Sequence, residues 1–194
     1  MMSDAEIVRQ LRLGELVIEG FHAQSLRASS YMLRLSSQIA VLSRAADVVD
    51  LADSSTYPSL VCMDIEKKPY MLRAGEFVLG GTIEKIGLSR QISATLLNLS
   101  GLSRLGLFTE IASLVSPGFG SSTPMPLTLE IKNFAKHNVR LVSGMPVCHL
   151  VFWKLTGRAS ESYDEDHGRH SSEVAPSGSR YYMHFRHLIG QGDG

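Results

Sequence analysis

The sequence predicts an all-β fold, either a sandwich, a jelly roll or a distorted barrel, with a short N-terminal helix and a flexible C-terminal arm. Two observations carry this prediction. Short β-rich runs follow one another over most of the chain, and Gly, Pro, Ser and Asn separate many of them, as in Ser116-Pro117-Gly118. Many short strands at this spacing are typical of antiparallel β domains rather than of βαβ units.

The N-terminal helix has a recognisable beginning and end. Ser3-Asp4-Ala5-Glu6 has the pattern of a capping box, in which the Ser3 hydroxyl accepts from an unpaired backbone N–H and the Glu6 carboxylate reaches back. Gly14 suits the left-handed position that follows the last turn. The pattern therefore predicts one short helix between Ser3 and Gly14.

Eight β-rich runs follow this helix. We expect them to pack into one domain covering residues 1–156, since 194 residues are about the size of a single domain. The runs are Tyr31–Leu35, Ile39–Leu42, Phe77–Leu79, Ile92–Leu97, Leu107–Ile111, Leu127–Ile131, Val139–Val142 and Val147–Leu155.

The chain changes character after residue 156. The stretch Gly157–Gly178 is poor in large apolar residues and rich in Ser, Gly and charge, so it cannot build a core of its own. We expect residues 157–194 to form a C-terminal arm or lid. Large apolar side chains later in the arm offer a point where it could dock on the domain, namely Tyr181, Tyr182, Met183 and Phe185.

Charge and cysteine content exclude several classes of protein. The 19 Lys+Arg residues balance the 19 Asp+Glu residues, which argues against a general nucleic-acid coat or a polybasic membrane binder. The apolar runs fall far short of the ~20 residues of a membrane-spanning helix, and Asp4 and Glu6 stand where a secretory signal would carry Lys or Arg. Cys62 and Cys148 do not make a disulfide framework. We therefore expect a cytoplasmic protein with neither a membrane nor a nucleic-acid partner.

The histidines and cysteines lack the spacing of a metal site. A zinc deaminase would show H-x-E followed by P-C-x-x-C, but no second cysteine follows Pro146-Val147-Cys148. His167 with His170, and His184 with His187, are spaced i, i+3 without a companion Cys at helical spacing. We therefore predict no zinc and no metal bound by protein ligands.

Glu130 is the first candidate catalytic residue. Along Leu127–Lys132 the apolar side chains alternate with Thr128, Glu130 and Lys132. Glu130 therefore faces either solvent or a cavity if the apolar side is core. Two interpretations stay open, namely an exposed strand carboxylate and a general base held on a rigid strand.

Arg104 is the second candidate. Ser100–Leu107 has the pattern of one tight helical turn, with Ser100 as its N-cap and Gly106 as its left-handed end. Backbone N–H groups at such a turn can form a small anion site suited to phosphate. A capped surface turn with a solvated arginine is the more common origin of this pattern.

With these residues the sequence resembles the dCTP deaminases, which belong to a trimeric all-β superfamily that includes the dUTPases. Arg104-Leu105-Gly106-Leu107 is similar to the end of the family motif Gly-Arg/Lys-Ser-Ser-x-x-Arg-Leu-Gly, and Leu127–Glu130 is similar to a later family strand. The other similar segments are Ser3–Leu16, Ser29–Leu35, Leu72–Gly80 with Thr82 and Glu84, Pro117–Phe119, Gly144–Val147 and Ser179–Phe185.

The resemblance implies a distorted β-barrel or jelly roll of the dUTPase-like type, assembled as a homotrimer with sites between subunits. It implies hydrolytic deamination of dCTP to dUTP and ammonia, in which water attacks C4 of cytosine without zinc. Glu130 would pass the proton of that water to the leaving ammonia, Arg104 would orient the site and bind phosphate, and Mg²⁺ would arrive with the triphosphate. The implied substrate-binding residues are Ser100, Gly101, Ser113, Val115, Ser116, Arg169, Ser179 and Arg180.

Several positions depart from the family pattern. Leu99 stands where the family has Arg or Lys, Glu110 where it has His, and Ser116 where it has an aspartate that recognises deoxyribose. The lid glutamines are also replaced. Three hypotheses remain, namely a working dCTP deaminase with an altered pocket, a family member acting on another nucleotide (dUTP hydrolysis included), and a catalytically silent regulatory or structural trimer.

Overall fold

The computed structural model describes residues 1–43, 46–166 and 176–183. Within these ranges the helices are α1 (Asp4–Leu13), α2 (Ser100–Arg104) and α3 (Tyr163–Asp166), and none of them is long and apolar enough to cross a membrane. The predicted N-terminal helix is confirmed, because Ser3 Oγ accepts from Glu6 N at 3.3 Å and Gly14 ends α1 with a φ of 70°. The bonding of the Glu6 carboxylate differs from the prediction, since this carboxylate accepts from the side chains of Arg9 and Gln10 rather than reaching back to the N-cap.

The described residues form twelve strands, and the predicted all-β fold is confirmed. The strands are β1 (Leu16–Glu19), β2 (Leu26–Arg27), β3 (Ser30–Leu42), β4 (Leu60–Asp64), β5 (Tyr70–Leu72), β6 (Phe77–Leu88), β7 (Ile92–Asn98), β8 (Leu107–Phe108), β9 (Leu114–Val115), β10 (Met125–Asn133), β11 (Val139–Leu141) and β12 (Pro146–Lys154).

The strand pairs are antiparallel, and most strands belong to one curled sheet. Its order is β8-β10-β6-β3-β12-β7-β9, with β1 added on β6 and with β2 and β4 added on β3, while β5 and β11 form a separate pair. The register between β3 and β6 shifts between Leu35 and Ile39, and the register between β10 and β6 shifts between Pro126 and Thr128. Such irregularities bend strands and increase the local twist, which lets a long sheet curl around a core.

Several predicted strand limits were wrong, among them that of Phe77–Leu79, which is only the beginning of the longer strand β6. Tyr31–Leu35 and Ile39–Leu42 are parts of the single long strand β3, and Leu107–Ile111 leaves the strand conformation after Phe108. The physical reason lies at Thr109, which is buried and turns inward. Its hydroxyl lies 2.6 Å from the carbonyl of Val147 and 2.8 Å from Asn98 Oδ1, so the chain leaves the edge of the sheet there.

Strand β10 shows how the core forms and where the polar face of the sheet lies. Leu127, Leu129 and Ile131 are buried in the core cluster, whereas Thr128 and Glu130 alternate with them on the other face and are half-buried. This alternation is the period-2 pattern expected of a strand with one apolar face. The predicted orientation of β10 is therefore confirmed.

One buried charge joins β3 to β6. The Glu84 side chain is fully buried, and its two oxygens accept from Arg34 N at 2.9 Å and from Arg34 Nε at 2.7 Å. A buried carboxylate is tolerated when it is paired and hydrogen-bonded in this way, while loss of one partner is strongly destabilising. The pair therefore joins β3 to β6 inside the sheet.

Candidate active site

A cleft of about 930 Å³ lies on the polar face of β10. Its walls come from β3, β6, β9 and β10, and residues 176–181 of the C-terminal arm complete it. Among the residues singled out in the sequence, those that line it are Glu130, Val115, Ser116, Ser179 and Arg180. The charged residues in the described lining are Glu66, Lys85, Glu130 and Arg180, so the two signs balance.

Glu130 points into this cleft and is held by the neighbouring loop. Its Oε2 accepts from the backbone N–H of Ile111 at 3.3 Å and of Ala112 at 3.1 Å. On its own strand, Glu130 pairs with Leu79 of β6, so its backbone is part of the sheet. The carboxylate is therefore fixed from two directions, by its strand and by the loop. The interpretation of Glu130 as a freely solvated strand residue does not fit this arrangement.

Asn98 organises the loop that holds Glu130, and the sequence analysis did not identify it. Its Nδ2 donates to Ser103 Oγ at 2.8 Å and to the Leu107 carbonyl at 3.0 Å, while its Oδ1 accepts from Thr109 N at 3.2 Å. One amide side chain thus joins α2, β8 and the loop after β8. An Asn between a strand and a tight turn is a known signal for such side-chain-to-backbone bonds, but its distant partners are not visible in sequence.

Glu110 places a second carboxylate beside Glu130 without lining the cleft. Its Oε1 accepts from Asn98 N at 3.1 Å. Burial raises the pKa of Glu110 above its usual value; the hydrogen bond from the Asn98 N–H acts against this, and the charge of Glu130 raises the pKa further. The Glu110 side chain is therefore packed into the structure that supports the site.

The turn that carries Arg104 is built differently from the prediction. Leu99, rather than Ser100, is the N-cap of α2, and it makes no side-chain capping bond. Gly106 does end the turn in the left-handed region, with a φ of 75°. Ser100, Gly101 and Arg104 are exposed and do not line the cleft that contains Glu130. Within one chain the structure therefore does not bring the two catalytic candidates together.

The segment after the Glu130-binding loop contributes two of its three predicted residues to the cleft. Val115 is buried in β9 and Ser116 is half-buried, and both line the cleft. Ser113 does not line it, and its carbonyl accepts from Leu96 N at 2.8 Å. Its neighbour Ala112 lines the cleft in its place.

The described end of the C-terminal arm covers the cleft from the outside. Pro176 packs over Gly81, where a Cβ would come within 3.8 Å of the proline ring. The rings of Tyr182 and Tyr57 meet edge to face with centroids 6.3 Å apart. Ser179 and Arg180 lie between these contacts and line the cleft, whereas Arg169 falls outside the described residues.

Among the described residues, no group of three or more His, Cys, Asp and Glu side chains is placed to hold a metal ion. The four histidines of the i, i+3 pairs lie outside those residues. Cys148 is buried, and burial is the main cause that raises the pKa of its thiol, with smaller contributions from the charges of Glu110 and Glu84. The thiolate form, which binds metals and reacts, is thus disfavoured at Cys148.

Known proteins resemble this chain in sequence. A family model described as dCTP deaminase-like matches residues 1–155. A protein from Corynebacterium diphtheriae named dCTP deaminase, dUMP-forming, is 33% identical over 191 residues, covering 96% of this chain and 100% of that protein. The protein of the same name from Dictyoglomus thermophilum is 33% identical over 193 residues, covering 95% and 96% of the two chains.

A solved structure shares the fold. The crystal structure of 2′-deoxycytidine 5′-triphosphate deaminase from Agrobacterium tumefaciens superposes with a TM-score of 0.60 at 20% identity, covering 89% of this chain and 53% of that chain. The present chain therefore spans about half the length of that one, and the predicted dUTPase-like architecture is confirmed. Because the family model matches four fifths of the sequence and relatives align over nearly its whole length, the chain belongs to the dCTP deaminase-like family.

Proposed function

We propose that this protein deaminates dCTP by hydrolysis, with Glu130 as the proton carrier. The observation that supports this most is the position of the Glu130 carboxylate, which faces a cleft from a paired strand and is held by the N–H groups of Ile111 and Ala112. A carboxylate fixed in this way does not need to reorganise when a reaction begins, which is what efficient proton transfer requires.

The proposed reaction replaces the C4 amino group of cytosine by oxygen. A water molecule forms a bond to C4 while Glu130 takes one of its protons and delivers it to N3. Glu130 then takes the remaining hydroxyl proton and passes it to the amino nitrogen. The C4–N bond breaks, ammonia leaves and the C4 carbonyl forms. The carboxylate ends ionised, as it began, so the step needs no oxidant, reductant or zinc ion.

The C-terminal arm would exclude water from this step. Residues 176–181 form one wall of the cleft, and Arg180 is one of the two positive side chains in the described lining. Expulsion of water strengthens every electrostatic interaction in a closed site. We propose that Ser179 and Arg180 contact the nucleotide, that Arg169 joins them, and that Val115, Ser116 and Ser113 form the base and sugar side of the pocket.

We propose a homotrimer in which a neighbouring copy supplies Arg104, Ser100 and Gly101. These residues are exposed and lie away from the cleft of their own chain. Exposed apolar side chains lie on β7, which leads into α2, on its partner β9 and at the end of α2. They are Leu97, Leu114 and Leu105, which are 48%, 73% and 56% exposed. Large exposed apolar surfaces beside polar residues are typical of protein–protein contacts. Light scattering that reports a stable monomer would contradict this assembly.

We propose dUMP as the final product and Mg²⁺ as a cation carried by the triphosphate. The relatives from Corynebacterium and Dictyoglomus are named dUMP-forming, which favours dUMP over the dUTP that the resemblance first suggested. Deamination would then be followed by hydrolysis that releases pyrophosphate. Mg²⁺ commonly binds substrate phosphates rather than an all-protein cage. Because the substrate is a free nucleotide, we expect the protein to act in the cytoplasm.

The test is a product assay with purified protein, dCTP and Mg²⁺. Ion-exchange chromatography separates dCTP, dUTP and dUMP, while coupled assays follow ammonia and pyrophosphate. We expect ammonia, dUMP and pyrophosphate in equal amounts. Ammonia with accumulating dUTP would correct the product but keep the deaminase. Calorimetry that detects no heat at millimolar dCTP would reject the enzyme.

The second candidate is a family member that hydrolyses dUTP or has lost catalysis. It is favoured by Leu99, Glu110 and Ser116, which replace three polar or charged family positions. A lost charge-assisted phosphate contact weakens binding by about 10- to 100-fold. Pyrophosphate release from dUTP without ammonia release from dCTP would show that the protein hydrolyses dUTP. Nucleotide binding without any product would show that the protein has lost catalysis.

A further inference from the structure

A carboxylate that the sequence analysis did not identify helps to fasten the C-terminal arm to the domain. Asp164 lies in α3, and its Oδ1 accepts from Gly120 N at 3.1 Å. Its Oδ2 accepts from Ser122 N at 3.2 Å and from Ser121 Oγ at 3.3 Å. Three donors from one loop thus converge on a single side chain, which is the charge-assisted arrangement that makes such bonds strong.

The loop is shaped to receive this part of the arm. Gly118 has a φ of 80°, and a Cβ at this position would collide with Ser162. Ser162 is buried, and its hydroxyl donates to the Gly118 carbonyl at 3.1 Å. The backbone therefore allows Ser162 to approach only because residue 118 has no side chain.

The opposite side of the same loop is a wall of the cleft. Ser116 and Phe119 line the cleft together with Tyr163, the residue before Asp164. The Tyr163 N–H donates to the Pro117 carbonyl at 3.0 Å, and the rings of Tyr163 and Phe119 pack with centroids 5.5 Å apart. The carboxylate of Asp164 thus holds, from behind, the loop and the aromatic pair that face the nucleotide pocket.

We propose that Asp164 is a positioning residue that fixes the beginning of the C-terminal arm on loop 117–122 and so sets the shape of the pocket wall. The proposal rests on the proposed function, because it assigns Asp164 to the binding of the same nucleotide. Asp164 does not line the cleft and takes no part in the chemical step. It acts through Tyr163 and Phe119, which line the cleft.

The test compares Asp164→Asn with Glu161→Gln, which removes a negative charge from an exposed residue of the same segment. Hydrogen exchange should show the amides of Gly120 and Ser122 exchanging about ten-fold faster in Asp164→Asn, since an asparagine offers one acceptor oxygen instead of two. The KM for dCTP should rise about five- to ten-fold while kcat stays within about two-fold of the wild-type value. Glu161→Gln should change neither quantity.

Other results would overturn one part of the proposal or all of it. Unchanged exchange at Gly120 and Ser122 would overturn the anchor, and faster exchange with an unchanged KM would overturn its role in the pocket. Equal losses in kcat and kcat/KM, together with a lower melting temperature, would indicate a merely structural residue. If the wild-type protein releases no ammonia, the proposed function fails by itself. The anchor is then decided by the exchange rates and by protease cleavage between residues 157 and 183, which should be faster in Asp164→Asn.

Discussion

Glu130 and Arg104 lie in two regions that differ in how firmly a single chain holds the functional side chain. Glu130 lies on a nine-residue strand that pairs with β6 and β8, and its carboxylate is bound by two N–H groups. Arg104 ends a five-residue helix and is exposed. In the trimer that we propose, the proton-transfer half of the site would be supplied by one chain, and the phosphate half would be supplied by a neighbouring copy.

The largest effect is expected from a substitution of Glu130, in the region that a single chain holds firmly. Glu130→Gln should lower kcat by about 10³-fold or more while dCTP binding stays within about two-fold, because the amide is nearly isosteric but cannot take a proton. Steady-state ammonia release and calorimetric titration with dCTP measure the two quantities. The control is Glu161→Gln, an exposed carboxylate outside the cleft. Turnover at the wild-type rate in Glu130→Gln would remove Glu130 from the mechanism.

The same comparison explains which parts of the molecule the sequence predicts. The alternation along Leu127–Lys132 is local, so it predicted both β10 and the face that carries Glu130. The capping pattern of α1 is local as well. The end of β8 after Phe108 was not predictable, because it depends on bonds from Thr109 to Asn98 and Val147, 11 and 38 residues away along the chain. Asn98 and Asp164 were missed for the same reason, since their partners come together only in the fold.

Mixing two inactive variants tests whether the phosphate half comes from another copy. Arg104→Ala alone should lower kcat/KM strongly. Refolding equal amounts of Glu130→Gln and Arg104→Ala together should restore about one quarter of the wild-type activity. A shared site is intact when its Glu130 comes from an Arg104→Ala chain and its Arg104 comes from a Glu130→Gln chain. Random mixing of equal amounts gives this combination in about one quarter of the sites. Ammonia release is the readout, and a mixture as inactive as its components would place both residues in one chain's site.

Asn98 connects the two regions, so its loss should affect stability more than a surface change. Asn98→Ala should lower the free energy of unfolding by about 2 kcal/mol, because it leaves the Leu107 carbonyl and the Thr109 N–H without their bonds. Urea titration followed by circular dichroism measures this. Asn138→Ala is the matched control, since Asn138 is exposed and accepts from Ala74 N at 3.2 Å. Equal destabilisation of the two variants would show that Asn98 contributes no more to stability than the exposed Asn138 does.

The smallest effect is expected in the pH dependence of stability, through Glu110. Burial raises its pKa in the folded protein above the ordinary value of 4.5, the hydrogen bond from Asn98 lowers it, and the charge of Glu130 raises it further. The folded state therefore binds the proton more tightly than the unfolded chain does. The contribution of Glu110 to stability is fully present below pH 4.5 and is lost as the pH rises through the folded-state pKa.

Glu110→Gln keeps an acceptor for the Asn98 N–H but cannot ionise. Its melting temperature should therefore match that of the wild-type protein most closely at low pH and exceed it increasingly as the pH rises through that window. A difference between the two melting temperatures that does not change with pH would show that the carboxylate beside Glu130 is not perturbed by its surroundings.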